Sequence, residues 1–564
     1  MTVYRFVLFL FVWLMASAVP LMAQHQVEYR SGGVLSPAQA AFQVSFYDLD
    51  LTINPADSTV SGSVDAHFTM VHPSNVIELA LDPRLEVHEV TMVGGEPLHF
   101  SHHPGDKRLM VHFPATVQPG TELAVRVAYG GQPRVAVNAP WDGGVVWEKT
   151  PSGDPWLGVA VQTIGAWVWW PNKDHPSDRP DSVAINLAFP DDLVVASNGR
   201  LRGTTPRDDG FTTWHWFHSL PISNYNVTFN AAPYEMLEES YISTAGEEVE
   251  MMFWVLPEYR EQAEALFPQF STQLRFLEEL LGPYPFRTEK YGVAHSPYLG
   301  MEHQTIIAYG ATFENDNLFG LDGGYDDLHQ HELAHEWWGN LVTAWDWRDF
   351  WLHEGFGTYM QALYAEHLQG DESYRRFMEL FKRRTVSRSP IAPRQSMDSV
   401  EISGAGRGGD VYYKGALFLH TLRYYLGDEP FFELLRRFAY PTPELETATD
   451  GRHMRYATTD DFLELANRMT DEDLSWLFEA YLREAQTPQL VIDYAEGETT
   501  LRWKTESGGP FHMPLELYVN GEMKFVSPID GVITLDVSKD ASIEVDPYSR
   551  VLMEVVDNRG PLND

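Results

Sequence analysis

Two segments decide how this chain is interpreted: HELAHEWWGN at residues 331–340 and WLHEGF at residues 351–356. In the first, His331 and His335 stand four positions apart within a stretch whose apolar residues recur with helical spacing. Residues four apart lie on one face of a helix, so the two imidazoles can bind a single metal ion. Glu332 lies about 100° further round the helix, beside that ion. The segment therefore predicts a helix that carries a metal site.

The second segment supplies a third ligand, Glu354. Eighteen residues separate it from His335, enough for a loop that brings a second helix antiparallel to the first. Two histidines and one carboxylate leave an open position on zinc for a water molecule, and Glu332 is placed to remove a proton from that water. We therefore predict metal-assisted hydrolysis of a carbonyl compound. A purely structural zinc site would need a fourth protein ligand, and the sequence offers no good candidate.

The composition predicts a folded, acidic protein of several domains. With 564 residues and 44% hydrophobic residues, the chain is too long for one core and too apolar for disorder, so we expect two to four domains. Eighty acidic residues against forty basic ones repel phosphate backbones, and no basic patch offsets them, which argues against nucleic-acid binding. The chain has no cysteine, so any metal must be held by histidine, aspartate or glutamate.

The N-terminus has the three parts of a secretory signal. Arg5 precedes an apolar stretch from Phe6 to about Val19, and cleavage is expected after Ala23. Residues 1–23 are therefore predicted to be a signal peptide, and the protein to be exported, either periplasmic or secreted. The alternative is an uncleaved membrane anchor, although the stretch is short for a membrane span. No later segment has eighteen consecutive apolar residues, so no membrane span is expected after cleavage.

The hydrophobic period changes twice along the chain. Over residues 40–235, short alternating runs broken by glycine, proline, asparagine and aspartate predict an antiparallel β domain. Over residues 236–486 the period becomes three or four, which predicts a mainly helical domain that carries the metal site. Alternation returns over residues 487–560, which are expected to form a small β sandwich. The predicted fold class is multidomain α+β.

Residues 331–343 and 351–356 closely resemble the zinc signature of the aminopeptidase N and leukotriene hydrolase family of zinc metallopeptidases, which are gluzincins. Three further segments are similar to stretches of that family. LGMEH at 299–303 resembles its G-x-M-E-N exopeptidase motif, YYKG at 412–415 its Y-x-K-G motif, and WWPNKD at 169–174 part of its N-terminal domain. The likeness covers nearly all of residues 40–490.

The resemblance implies an N-terminal β saddle domain, a thermolysin-like catalytic domain and a role for each matching residue. One zinc ion per chain would be held by His331, His335 and Glu354, with Glu332 as the general base. Tyr412 would stabilise the oxyanion, and Glu302 would bind the free α-amino group of a peptide. The remaining substrate-binding candidates are Gly300, Met301 and, with its register unresolved, Gln162.

The sequence departs from the family pattern in several places. Leu299, His303 and His353 replace a glycine and two asparagines of the family, which puts the shape of the first substrate subsite in doubt. The chain also stops after the expected β sandwich, where the family carries a further helical domain that walls the cleft. We therefore expect a more open cleft, or a homodimer that covers it.

The leading hypothesis is an exported zinc aminopeptidase that hydrolyses N-terminal residues from peptides through a zinc-activated water. Its substrates would be peptides with a free N-terminus and a neutral or basic first residue. One alternative is a thermolysin-like endopeptidase, although Glu302 and the Tyr412 motif argue against it. An alternative of another class is a non-catalytic peptide-binding scaffold on the same fold.

Overall fold

The structure, a computed structural model, describes residues 28–559 apart from 311–312, 314, 316–319, 322 and 405–408. The predicted signal peptide therefore lies outside the described residues. Within them, no helix is long and apolar enough to cross a membrane. The predicted α+β fold class is confirmed: a β-rich N-terminal region precedes a mainly helical region and a C-terminal β region. The exact domain boundaries stay predictions.

The N-terminal region consists of three sheets. In β1, Leu49, Leu51 and Ile53 are buried while the residues between them are more exposed, which is the alternation expected of a strand with one face on a core. The sheet orders are β12-β13-β10-β1-β2-β7-β4, β11-β14-β9-β8 and β3-β6-β5. The strands of this region are β1 Phe42–Asn54, β2 Thr59–Met70, β3 Ser74–Ala80, β4 Leu85–Met92, β5 His99–His102, β6 Arg108–Val117, β7 Glu122–Gly131, β8 Gly144–Lys149, β9 Pro155–Ala160, β10 Ser182–Pro190, β11 Val194–Ser197, β12 Arg200–Pro206, β13 Phe211–His218 and β14 Phe229–Ala232.

One strand pair in this region differs from the antiparallel prediction. Strands β1 and β10 pair in parallel, with Phe46 opposite Ser182. A parallel pair needs a long crossover connection, and more than a hundred residues separate these two strands. Alternation within each strand cannot reveal this, because it reports which face is buried and not the direction of the neighbour.

The middle region begins with a five-stranded sheet in the order β15-β16-β17-β19-β18, which the sequence pattern did not predict. All five residues of β17 are buried, so this strand lacks the alternation that would have distinguished it. Strand β18 lies at the edge of the sheet. The strands of this region are β15 Glu235–Ile242, β16 Glu248–Val255, β17 Tyr291–His295, β18 Gly300–Met301 and β19 Ile307–Tyr309, with a separate parallel pair β20 Val342–Ala344 and β21 Arg455–Ala457.

Helices form most of the middle region. Helix α4 is buried continuously from Trp351 to Ala365, so it runs through the core. It crosses α7 at two glycines: a Cβ on Gly355 would lie 2.9 Å from Gly415 Cα, so only glycine permits this approach. The helices are α1 Arg260–Leu266, α2 Pro268–Leu281, α3 Asp327–Ala334, α4 Trp351–Gln369, α5 Asp371–Arg384, α6 Ser399–Ser403, α7 Asp410–Leu426, α8 Asp428–Ala439, α9 Pro443–Glu446, α10 Thr459–Thr470 and α11 Ser475–Phe478.

The C-terminal region forms two sheets, β26-β23-β22-β28 and β25-β24-β27. Its connection to the helical region is held by Lys414 of α7, whose Nζ donates to the carbonyls of Glu484 and Ala485. The hydroxyl of Tyr481 also donates to the carbonyl of Leu552. The strands are β22 Gln489–Ala495, β23 Glu498–Lys504, β24 Leu515–Val519, β25 Glu522–Val526, β26 Val532–Leu535, β27 Ile543–Val545 and β28 Glu554–Asp557.

Candidate active site

Helix α3 presents His331 and Glu332, and His335 follows directly after its last residue. Asp326 caps the helix by accepting a hydrogen bond from the backbone N–H of His329. The helix ends at Ala334, yet His335 keeps right-handed helical torsions (φ −66°, ψ −16°). The i, i+4 relation therefore holds across the helix end, and both imidazoles lie on the same side.

The three predicted metal ligands come together in one buried cluster. The Nε2 atoms of His331 and His335 are 3.2 Å apart, and each lies 3.5 Å from Glu354 Oε2. Tetrahedral zinc with ligand bonds of about 2.0–2.1 Å would place its ligand atoms roughly 3.3 Å apart. The spacing of the three atoms thus fits a zinc ion between them, and the group is able to hold a metal.

Hydrogen bonds to the far side of each imidazole set the protonation that metal binding requires. His335 Nδ1 lies 2.8 Å from the carbonyl of Trp338, and His331 Nδ1 lies 3.1 Å from Gln361 Oε1. The Gln361 side-chain N–H₂ donates a hydrogen bond to the carbonyl of Asp327, so the amide oxygen of Gln361 faces His331. Both histidines therefore carry hydrogen on Nδ1 and turn an Nε2 lone pair into the cluster. Two lone pairs and a carboxylate facing one another need a cation.

Glu332 lies against strand β18 at the same cluster. A Cβ on Gly300 would come within 2.5 Å of Glu332 Oε1, so the glycine makes room for this carboxylate. Burial raises the pKa of Glu332 well above its usual range, and the nearby His335 opposes that rise. A carboxylate with a raised pKa beside a metal is a competent proton acceptor.

Glu302 of the middle region and Gln162 of the N-terminal region together form one wall of the site. Gln162, from the N-terminal region, donates through Nε2 to Glu302 and also to Glu354 Oε1 at 3.3 Å. The backbone carbonyl of Glu302 accepts from Asn340 at 3.0 Å. Burial raises the pKa of Glu302 to about 7. Gln162 therefore lies in the site and holds Glu302 next to a predicted metal ligand, and its role in substrate binding stays a prediction.

Gly300 and Met301 belong to edge strand β18, which pairs antiparallel with β19 through Tyr309 and Ala308. All three residues from Gly300 to Glu302 line a cavity of about 750 Å³ that also contains the metal ligands. A strand at the edge of a sheet can pair with an extended chain, so this edge is suited to a peptide backbone.

The structure separates the two neighbouring tyrosines at the start of α7. The ring of Tyr412 lies 6.2 Å from the His331 ring, nearly parallel to it, and burial raises the pKa of its hydroxyl far above the usual range. Tyr413 instead accepts a hydrogen bond from Arg384 and stacks on Phe381, 5.7 Å away. Tyr412 is therefore the tyrosine beside the metal ligands, with a neutral hydroxyl that can donate a hydrogen bond.

Two residues that depart from the family pattern have different surroundings. His353 Nε2 accepts the backbone N–H of Ala344, which ties α4 to β20. His303 is fully buried, and burial lowers its pKa to about 3, so its imidazole is neutral. Neither is among the lining residues of the cavity that the structure describes.

Trp141, Asp142 and Arg384 are among the cavity-lining residues that the sequence did not predict. Trp141 and Asp142 lie in a turn before β8, and the backbone carbonyl of Trp141 accepts from Thr163. None of the three belongs to a motif with chemical spacing. Trp141 is 56% accessible, and this exposure cannot be recognised before the fold is known.

Fold and site together define a metallopeptidase of the two-histidine, one-glutamate type. Residues 43–226 match the peptidase M1 N-terminal domain, and residues 283–481 match the peptidase family M1 domain. The chain belongs to peptidase family M1, whose members are zinc metallopeptidases, and the resemblance noted from the motifs is confirmed.

Relatives with known names extend this comparison. The chain is 24% identical over 441 residues to human endoplasmic reticulum aminopeptidase 1, covering 72% of this chain and 44% of that protein. It is 25% identical over 348 residues to leucine aminopeptidase 2 of Vanderwaltozyma polyspora, covering 60% and 49%. The chain thus spans about half the length of the curated relatives it matches.

Solved structures share the fold. An M1 zinc metallopeptidase from Deinococcus radiodurans superposes with a TM-score of 0.63 at 23% identity, covering 79% of this chain and 94% of that one. A substituted form of it, bound to a Tyr-Ser-Ala substrate, gives a TM-score of 0.65 and covers 81% and 97%. At this identity the likeness establishes the fold.

Proposed function

We propose that this protein is an exported zinc aminopeptidase that removes N-terminal residues from peptides. The observation that carries the proposal is the placement of Glu302, a buried carboxylate held by Gln162 immediately beside the metal ligands. A fixed carboxylate at that position attracts an ammonium group and limits which peptide bond reaches the metal. The curated relatives named above are aminopeptidases, which supports the same assignment.

The metal ligands, Glu332 and Tyr412 each have a separate role in the proposed hydrolysis. Zinc, when held by His331, His335 and Glu354, supplies an open coordination position and polarises the oxygen groups that occupy it. Glu332 accepts the proton of the attacking water and passes it to the leaving amine. The Tyr412 hydroxyl donates to the carbonyl oxygen as negative charge develops there.

Substrate binding uses the remaining wall of the cavity. Glu302 accepts hydrogen bonds from the substrate ammonium, and the charge of that ammonium lowers the carboxyl's raised pKa again, so the pair binds as ions. The edge of β18 at Gly300 and Met301, which lines the cavity, pairs with the substrate backbone. A bound peptide is thereby held extended, with its first peptide bond at the metal.

The test compares a peptide with its N-acetylated form on the zinc-loaded protein. Acetylation should nearly abolish cleavage, and Glu302→Ala should shrink the difference between the two forms by removing about 1.5–3 kcal/mol of binding to the ammonium. Glu261→Ala, an exposed carboxylate on α1, is the matched control and should leave the difference intact. Equal cleavage of both forms by the native protein would favour the thermolysin-like endopeptidase instead.

Export is the second part of the proposal. It is supported by the charged, apolar and small-residue pattern of residues 1–23. Expression of the full chain in a Gram-negative host, followed by fractionation and N-terminal sequencing, should recover protein that begins at Gln24 outside the cytoplasm. Protein that keeps Met1 and sediments with membranes would support the uncleaved anchor.

A further inference from the structure

The chain makes a sharp turn directly after Glu302. The turn is closed by the backbone N–H of Ile306, which donates to the carbonyl of His303 over 2.9 Å. Within the turn, Thr305 has a positive φ of 65°. A β-branched residue seldom adopts this left-handed conformation, so the surrounding contacts must hold it there. The position of Glu302 therefore depends on the contacts that hold this turn.

The N-terminal region contacts the turn directly. The Thr305 side-chain oxygen accepts the backbone N–H of Gly199 over 2.9 Å, and the Thr305 carbonyl accepts from Lys290 Nζ over 2.9 Å. Asn198, which precedes Gly199, donates through Nδ2 to the carbonyl of Gln304 over 2.8 Å. Two neighbouring residues of the N-terminal region thus hold two neighbouring residues of the turn.

Glu302 itself is linked to the N-terminal region through Asn340. Nδ2 of Asn340 donates to the carbonyl of Glu302 over 3.0 Å and to Glu336 Oε2 over 3.3 Å. Because the amide nitrogen faces both of these acceptors, Oδ1 of Asn340 faces away from them. That oxygen accepts a hydrogen bond of 2.7 Å from Nδ2 of Asn226, in the N-terminal region. Two successive hydrogen bonds therefore connect Asn226 to the Glu302 backbone.

The Asn226 donor determines which way the Asn340 amide faces. If the oxygen and nitrogen of Asn340 exchanged places, Oδ1 would face the carbonyl of Glu302, and two acceptors would then oppose each other. The N–H₂ group of Asn340 would also oppose the Asn226 donor. With Asn226 in place, the amide keeps its donor on the Glu302 carbonyl.

The burial of Asn226 has a cost that this hydrogen bond explains. Asn226 has no exposed surface, and its own Oδ1 accepts no hydrogen bond from a residue that the structure describes. A buried polar atom without a partner destabilises a fold. Orientation of the Asn340 amide therefore accounts for this side chain better than a contribution to stability does.

We propose that Asn226 is a positioning residue for Glu302: by orienting the Asn340 amide, it fixes the Glu302 backbone and so the carboxylate that binds the substrate ammonium. This inference rests on the aminopeptidase function proposed above. Gln162 holds the carboxylate end of the Glu302 side chain, and Asn226 acts on the backbone end. The N-terminal region thus contributes to amine recognition at both ends of Glu302.

The experiment uses two metal-binding probes that differ in the α-amino group alone: leucine hydroxamate and the hydroxamate of isocaproic acid. Calorimetry on the zinc-loaded full chain gives the Kd of each, and the ratio of the two values isolates recognition of the amine. The native protein should bind the amine form about tenfold to a hundredfold more tightly, as expected of a charge-assisted hydrogen bond. Glu302→Ala should bring the ratio close to one.

The test variants remove the donor at residue 226. Asn226→Ala should lower the ratio by about threefold to tenfold, as expected for the loss of one neutral hydrogen bond, and leave the Kd of isocaproic hydroxamate unchanged. Asn226→Ser leaves a smaller cavity, and its hydroxyl is too short to reach Asn340, so it should also lower the ratio. In a Glu302→Ala background, Asn226→Ala should change neither Kd, because the group that Asn226 positions is gone.

Asn230→Ala is the matched control. Asn230 is also fully buried in the N-terminal region, and its side chain has no hydrogen-bond partner within the part of the chain that the structure describes. Its replacement removes a buried amide of the same size without touching Asn340, so the native ratio should be kept. Circular dichroism and zinc content establish that each variant is folded and loaded.

The outcomes that overturn the inference are distinct. A native ratio in folded Asn226→Ala and Asn226→Ser would refute the role of Asn226 and leave the aminopeptidase function standing. Equal weakening of both hydroxamates would show that Asn226 supports the site as a whole and not Glu302 in particular. Equal Kd values for the two hydroxamates in the native protein would refute amine recognition, and with it the proposed function itself.

Discussion

Replacing Gly300 by alanine tests whether the position of the Glu332 carboxylate controls the rate. A Cβ at residue 300 would lie 2.5 Å from Glu332 Oε1 and 2.9 Å from Leu328 Cδ1, whereas ordinary contacts begin at 3.4 Å. The carboxylate must therefore move by about 1 Å, and a displacement of about 1 Å at a catalytic group costs on the order of a hundredfold in rate. We expect kcat to fall by about that factor.

The assay is hydrolysis of a leucine arylamide, with zinc content measured on the same samples. Gly300→Ala should keep one zinc per chain, because the added methyl group meets the base and not the ligands. In a Glu332→Gln background the same change should add little further loss, since the base is already absent. Gly509→Ala, on an exposed loop where a Cβ would meet just Ser507 Oγ at 3.3 Å, is the control. Activity within threefold of native, with zinc intact, would refute the reasoning.

The remaining predictions concern the metal, the oxyanion and a buried lysine. His335→Ala should lose zinc and activity together, whereas Glu332→Gln should keep zinc and lose turnover; metal analysis showing the reverse would contradict the assigned roles. Tyr412→Phe should lower kcat about a hundredfold with little change in KM, and Tyr413→Phe should have a much smaller effect, so steady-state kinetics in the opposite order would move the oxyanion role to Tyr413. Burial lowers the pKa of Lys414 to about 8, so between about pH 8 and its ordinary pKa of 10.5 the unfolded chain binds more protons than the folded one. The free energy of unfolding of the native protein, measured by denaturant titration, should therefore rise relative to that of Lys414→Met across this window, and parallel curves would show that Lys414 does not carry the effect.

The local parts of the site could be predicted from sequence because they depend on helix geometry alone. The four-residue spacing of His331 and His335 places both imidazoles on one side wherever the helix lies in the protein. The position of Glu332 follows from the same geometry. Alternation in the N-terminal and C-terminal regions likewise predicted strands, since a half-buried strand must alternate to cover a core.

The fold also contains features that local pattern cannot encode. The parallel pairing of β1 with β10 and the fully buried strand β17 depend on what packs against each strand, which periodicity does not report. The register of Gln162 stayed open for the same reason. Its amide meets Glu302 and Glu354, which lie 140 and 192 positions away, so the contact exists through the packing of two regions and through no spacing along the chain.

The sequence by itself determined the family and predicted the metal ligands and the base, because each of these depends on short motifs whose residues have a fixed spacing along the chain. Only the tertiary structure decided that the Tyr412 ring lies beside His331 while Tyr413 contacts Arg384, where Gln162 lies, and that Arg384 shares the cleft. These depend on the close crossing of α4 and α7 at Gly355 and on the contact between the β-rich and helical regions. The physical reason is that the burial of apolar surface brings distant segments of the chain together. Because the hydrophobic effect has no preferred direction, the sequence near a polar residue does not indicate which distant polar residue will lie beside it.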